Sequence, residues 1–389
     1  MPDENFLTPA PEPPTALGRR RNLSKLASVL VSPLCLGGAS IGDQWHKLGF
    51  KKMNKEQSFK ILDAFYDAGG NFIDTANNYQ DETSEQFIGE WMEERGIRDH
   101  IILATKFSTD YKRGDKNIPS FAHSVYVGNS AKSIHVSLRD SLHKLRTDYV
   151  DILYIHWWAY DTSIPELMSH LHEVVASGKV LYLGASDLPA WVVAQANQWA
   201  VCHGKTPFSV YQGAWNVMDR SFERDIIPVA REWGMGLAPW NVLAGGKLRS
   251  DEEEQRRKES GEGGRDMTGT GWERTPEEKK MSNALEKVAK EVGGTVTAVA
   301  IAYLMQKTPY VVPIIGGSKV EHLQGNIKAL ELTLTPEHVA FIESVNTFEP
   351  GFPHSFIGNG EAPNAFLNNA AKIDRVQFPQ AIRPVTKSV

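Results

Sequence analysis

The sequence predicts an α/β chain folded as a single-domain (β/α)8 barrel. Eight short apolar runs recur along it, separated by stretches whose apolar residues repeat at helical spacing. Strands buried on both faces read as continuous apolar runs, and strands separated by helices pair in parallel through right-handed crossovers. Eight such units close into a barrel. A doubly wound open sheet is the alternative, but it calls for G-x-G-x-x-G after an early strand. The first run is followed only by the short turn Gly37 and Gly38.

In chain order the predicted strands are VSPLCLG from Val31, NFIDTA from Asn71, IILATKF from Ile101 and VDILYIHWW from Val150. VLYLGAS from Val180, FSVYQGAW from Phe208, MGLAPWN from Met235 and YVVPIIG from Tyr310 complete them. In the first predicted helix, KEQSFKILDAFYDAGG, the apolar residues Phe59, Leu62, Ala64, Phe65 and Ala68 recur at helical spacing, and Gly69 and Gly70 stop it. SEQFIGEWMEERG, AKSIHVSLRDSLHKL, IPELMSHLHEVVASG, PAWVVAQANQWAVCHG and FERDIIPVAREWG repeat the period. Residues 1–28 read as a mostly disordered tail, and 29–389 as the barrel domain. The charged, glycine-rich stretch 249–280 reads as a lid-like loop, because compact domains seldom carry structureless connections of that length. Residues 331–389 read as a helix, TPEHVAFIESVN, and a tail whose Phe352, Phe356, Asn364 and Phe366 are expected to help line a substrate pocket.

With 389 residues, 41% of them hydrophobic, the chain can bury a large core. A formal net charge of -5 gives no global reason to bind nucleic acid or an acidic membrane surface. No apolar run approaches the roughly 20 residues of a membrane helix. The run Arg19, Arg20 and Arg21 reads as a solvated flank. Two cysteines, Cys35 and Cys202, are too few for a disulfide framework. With no signal-peptide order at the start, a cytoplasmic, reducing setting and a small-molecule partner are expected.

In a barrel the reactive groups come from the C-terminal ends of strands and the loops beyond. Asp74 closes the second predicted strand and Tyr79 follows it, Lys106 closes the third, and His156 closes the fourth. Singly, each has an ordinary structural explanation. Together they suit carbonyl reduction, which needs a proton for the developing alkoxide. Tyrosine can supply it. A neighbouring buried ammonium, Lys106, is expected to lower the phenol's pKa, and a carboxylate, Asp74, to keep that ammonium charged. An imidazole, His156, can orient the carbonyl. Trp45, Trp157, Trp158 and Trp240 near the strand ends suit stacking on a flat, aromatic substrate as well as they suit core packing.

FIDTANNY, ILATKF, DILYIHWW, GASD and SVYQGAW resemble, in order and spacing, the aldo-keto reductase pattern from about Val31 to Leu330. LYIHWW, GKVLYLGASDLPAWVV and GLAPWNVLAGGK are similar to the fungal branch of aryl-alcohol dehydrogenases and norsolorinic acid reductases, the latter from secondary metabolism. The resemblance implies a (β/α)8 barrel binding NADPH/NADP+, and a tetrad of Asp74, Tyr79, Lys106 and His156. Of the strand-end tryptophans, Trp157 and Trp45 are expected beside the substrate; the resemblance implies Ser186, Asp187 and Gln212 at the nicotinamide carboxamide with Trp240 on the ring. Asp187 stands where much of the family has asparagine, so an acceptor for the amide is kept and a donor is lost. Asn241, Leu243, Gly245 and Lys247 would cover the pyrophosphate, and Gly316, Ser318, Lys319, His322 and Asn326 would take the adenosine phosphate. Many relatives carry an arginine near His322 that this sequence lacks.

The expected activity is reversible, NADPH-dependent reduction of aldehydes or ketones, either aryl aldehydes or a polyketide ketone. A low-turnover NADPH-binding regulator on the same barrel is the second reading. A metal-dependent hydrolase built on Asp74 and His156 is the third, and the strand ends offer it no second pair of ligands at suitable spacing.

Overall fold

The computed structural model describes residues 8–261, 263, 264 and 271–384. A two-stranded hairpin comes first, with β1 (Arg21–Asn22) antiparallel to β2 (Leu30–Val31). The barrel strands are β3 (Cys35–Gly37), β4 (Phe72–Asp74), β5 (Ile102–Phe107), β6 (Val150–Ile155), β7 (Val180–Ser186), β8 (Phe208–Ala214), β9 (Gly236–Trp240) and β10 (Ile314–Ile315). They pair in parallel in the order β10-β3-β4-β5-β6-β7-β8-β9. Closure comes from the segment ahead of β10: the Leu237 amide donates to the Tyr310 carbonyl at 2.9 Å, and the Val312 amide donates to the Leu237 carbonyl at 2.8 Å. All eight predicted strands are present. The predicted first run is divided, because Pro33 has no N–H for a ladder: Val31 belongs to the hairpin and Cys35 to the barrel.

The helices between the strands are α1 (Lys55–Asp67), α2 (Thr83–Arg95), α3 (Ala131–Lys144), α4 (Ile164–Ala176), α5 (Ala190–Cys202) and α6 (Phe222–Trp233). After β9 come α7 (Asp251–Ser260), α8 (Pro276–Val292) and α9 (Val296–Lys307), and after β10 α10 (Val320–Ile327) and α11 (Pro336–Val345).

Three segments differ from expectation. Within 1–28, residues 1–7 lie outside the described residues, but the second half is built into the fold. Leu23, Ala27 and Val31, all buried, pack with Phe72, Ala104, Ile152 and Val210 and plug the N-terminal end of the barrel. The fit is close enough that a Cβ on Gly236 would sit 2.4 Å from the Leu23 carbonyl oxygen, so only glycine accepts the hairpin there.

Within 249–280, residues 262 and 265–270 lie outside the described residues. The remainder is pinned, because α7 carries Glu254 into a buried knot where it accepts from Arg249 at 2.7 Å and Arg274 at 2.8 Å. Burial opposes the charge on Glu254, but the two guanidiniums outweigh it and hold the pKa down to about 2.

The C-terminal tail lies against the outer surface of α6. Arg224 Nε donates to the Pro350 carbonyl at 2.8 Å, His354 sits 3.1 Å from Asp225, and the Arg231 guanidinium lies 3.9 Å from the Phe378 ring centre. Phe352, Phe356 and Phe366 are exposed, Phe356 meeting each of the other two rings, and Asn364 caps a short helix, so these residues belong to a tail fastened on α6 and stand exposed rather than lining a buried substrate pocket.

Candidate active site

Side chains alternate across a strand, so Ala104 and Lys106 share the inner face of β5, and Asp74 pairs with Ala104 across the β4–β5 ladder. That register brings the Lys106 ammonium to 2.6 Å from Asp74 Oδ2 with both groups buried. Lys106 Nζ also donates to the Thr75 carbonyl at 2.8 Å. The other Asp74 oxygen, Oδ1, accepts from Gln212 Nε2 of β8 at 2.9 Å. Burial works against the Lys106 charge, but Asp74 and the Tyr79 phenol outweigh it and raise its pKa.

Tyr79 follows β4 with its ring centre 4.9 Å from Lys106 Nζ and 5.8 Å from the His156 ring. The pKa expectation needs correcting. Burial raises the phenol and Lys106 offsets only part of that, so Tyr79 lies above its ordinary 10.0 and holds its proton. The loop that presents it is strained, since Gln80, Asp81 and Glu82 all adopt positive φ. Gln80 stabilises that shape: its buried amide accepts from the Gln44 and Trp45 backbone at 2.9 and 2.8 Å and donates to the Ala39 carbonyl at 2.8 Å. Beneath the loop, Lys144 donates to the Asn77 carbonyl at 3.0 Å and pairs with buried Glu85 at 2.7 Å.

His156 continues from β6, and its backbone N–H donates to the Phe107 carbonyl at 3.2 Å. Burial and the Lys106 charge push its pKa down to about 3, so the imidazole is neutral. Trp157 Nε1 donates to Thr109 Oγ1 at 3.1 Å, and that hydroxyl stands 3.4 Å from His156 Nδ1. The Thr109 hydroxyl can donate to Nδ1 while it accepts from Trp157, the arrangement in which the ring proton stands on Nε2. Trp157, expected at the substrate, therefore has its N–H committed to positioning His156. Trp45 stands at the cleft edge, 5.8 Å from the Tyr79 ring and donating from Nε1 to Asp81 at 3.0 Å.

The next three strand ends meet beside this cluster. Ser186 pairs with Gln212 across β7 and β8, and the Asp187 amide donates to the Gln212 carbonyl at 3.0 Å. Trp240, last in β9, donates from Nε1 to Asp187 Oδ1 at 3.2 Å. Ser186 Oγ is buried with no hydrogen-bond partner in the protein, as suits a hydroxyl reserved for a bound polar group.

This geometry agrees with the sequence comparisons. The family model described as Aldo/keto reductase family matches residues 33–347. The chain belongs to the aldo/keto reductase family. It is 56% identical over 384 residues, 98% of this chain and 99% of the relative, to a Phanerodontia chrysosporium protein named aryl-alcohol dehydrogenase [NADP(+)]. It is 52% identical over 379 residues, 96% of this chain and 94% of the relative, to aldo-keto reductase ausK of Emericella nidulans. It is 49% identical over 376 residues, 94% of each chain, to norsolorinic acid reductase B of Dothistroma septosporum.

The resemblance to aldo/keto reductases assigned two further groups. Asn241 takes positive φ and its carbonyl accepts from Asn216 at 3.1 Å, while Leu243 and Gly245 shape the following turn. Lys247, expected at phosphate, instead holds the lid, donating to the carbonyls of Gly271 at 3.0 Å and Glu273 at 2.6 Å. Beyond β10, Gly316 and Ser318 lead into α10, which Lys319 begins, with His322 exposed on its first turn and Asn326 buried. Partial burial and then Lys319 lower the His322 pKa, and Arg257 and Lys51 add to that, opposed by Glu253. The lid helix α7 thus brings an arginine near His322 that no spacing along the sequence could reveal. Among the described residues, no group of three or more His, Cys, Asp and Glu is placed to hold a metal ion.

Two outcomes follow from the charge arrangement. Asp74→Leu leaves the buried Lys106 ammonium unpaired and costs about 3–5 kcal/mol in urea unfolding, and adding Lys106→Met restores most of that stability without restoring turnover. NMR of the His156 ring shows neutral imidazole down to about pH 4, because its pKa is depressed. The unfolded chain takes up that proton from about pH 6.5 downward, so this residue costs stability as acid is added.

Proposed function

We propose that this aldo/keto reductase reduces aldehydes and ketones to alcohols, reversibly, with NADPH, and that its substrates are aryl aldehydes or a related aromatic polyketide ketone. The observation that carries the reading is the Lys106 ammonium, held 2.6 Å from Asp74 beneath a phenol that keeps its proton at the cleft. The names of the relatives, aryl-alcohol dehydrogenase and norsolorinic acid reductase among them, support an aromatic substrate. Trp45 and Trp240 at the cleft edge add flat apolar surface for one. The unpaired Cys35 and Cys202 support a reducing, cytoplasmic setting.

Bound NADPH supplies the hydride. His156 Nε2–H, uncharged and fixed by Thr109 and Trp157, orients the carbonyl oxygen toward Tyr79. As that oxygen gains negative charge it becomes far more basic than a phenolate, and the Tyr79 proton crosses to it. Lys106 then steadies the phenolate left behind, and Asp74 keeps Lys106 charged through both states. Ser186, Asp187, Gln212 and Trp240 are the groups that would hold the nicotinamide end. The cation neighbourhood around Lys319, His322, Lys51 and Arg257 would hold the phosphate end. The low-turnover regulator is not favoured, because all four groups of a working proton path stand together.

Tyr79→Phe removes the proton while keeping the ring. With a nitrobenzaldehyde as substrate, turnover falls by about 10²–10⁴ while the Kd for NADPH changes less than about threefold. Unchanged turnover would remove Tyr79 as donor.

A further inference from the structure

Asp187 is a charged group that the proton path leaves unused. It follows β7 directly, at φ 50, a left-handed conformation that aspartate tolerates better than most residues. Trp240 Nε1–H holds Oδ1 at 3.2 Å. The carboxylate is close enough for its charge to act on Tyr79 and for the Lys106 charge to act on it. The Lys106 charge is already matched by Asp74 at 2.6 Å. Among the described residues, no cation lies within ion-pair distance of Asp187, so the mouth of the site carries one unmatched negative charge.

A nicotinamide that reduces a carbonyl held by Tyr79 must lie against that carbonyl, in this same cleft. Its ring is neutral in the reduced form and cationic in the oxidised form. We infer that the Asp187 carboxylate makes the site hold oxidised, cationic nicotinamide more tightly than the reduced form, which draws the bound pair toward oxidised cofactor and alcohol on the enzyme. The inference rests on the proposed function, since it requires the nicotinamide cofactor. The overall reaction equilibrium is untouched, and what changes is the relative grip on the two cofactor forms. Partial desolvation, opposed by Trp240 and Lys106, raises the Asp187 pKa to about 6, so the group is ionised in mildly alkaline solution.

The test is calorimetric titration of the full chain at about pH 8 with NADP+ and with NADPH, comparing wild type with Asp187→Asn, which keeps shape, tolerates the same backbone conformation and removes the charge. The ratio Kd(NADP+)/Kd(NADPH) is expected to rise about tenfold in the variant, mainly through weaker NADP+ binding, as loss of one charge in the same cleft would bring at intermediate dielectric. A ratio unchanged within about twofold, or one that falls, overturns the inference and leaves the reductase reading intact. Wild-type protein that binds neither nucleotide overturns both.

Discussion

Lys106 and Asp74 face each other inside the barrel, buried from water, and most of the site's geometry follows from the cost of keeping two charges there. Stripping ions of water costs several kcal/mol each, and attraction alone repays it only when the remaining donors and acceptors are satisfied. Here they are: Lys106 reaches Asp74 and the Thr75 carbonyl, and the second Asp74 oxygen accepts from Gln212. The pair therefore ties β4, β5 and β8 together across the barrel. Replacing it with well-packed apolar residues would cost the fold little, which makes chemistry the better explanation for its presence.

The phenol above the pair has the complementary property. Burial keeps its proton on, and Lys106 prepares for the charge that appears when the proton leaves. Such a group gives up its proton only to a strong base, and a carbonyl oxygen receiving hydride becomes one. Three successive residues with positive φ after Tyr79 show that the backbone is bent to present it, and Gln80 and the Lys144–Glu85 pair beneath oppose that strain. Neutral His156, set by Thr109 and Trp157, adds a donor without adding a charge that would compete with Lys106.

Eight apolar runs and four polar strand ends were legible along the chain, because alternation places successive strands side by side and brings their C-terminal ends to one rim. The supports of those ends were not. Gln80, Glu85, Lys144 and Thr109 are ordinary polar residues in sequence, and their roles arise from partners about 20 to 70 positions away that only the closed barrel brings near. Charge density made 249–280 look like a loose lid, yet burial of Glu254 between Arg249 and Arg274 makes those three charged residues an anchor. Proline at the start suggested a slack tail over 1–28, whereas Leu23, Ala27 and Val31 supply the plug that an open barrel end requires. The Tyr79 pKa was misjudged for a related reason, since spacing reveals a neighbouring cation but not how deeply the pair is buried.

The state of the Tyr79 proton decides the account. Carbon-13 NMR of tyrosine labelled at Cζ, with Tyr79→Phe used to assign the signal, reads that state directly. The resonance should remain that of a neutral phenol through about pH 9 and titrate above the ordinary tyrosine range. A phenolate signal at neutral pH would contradict it, and would mean that Lys106 takes the proton away before the substrate can use it.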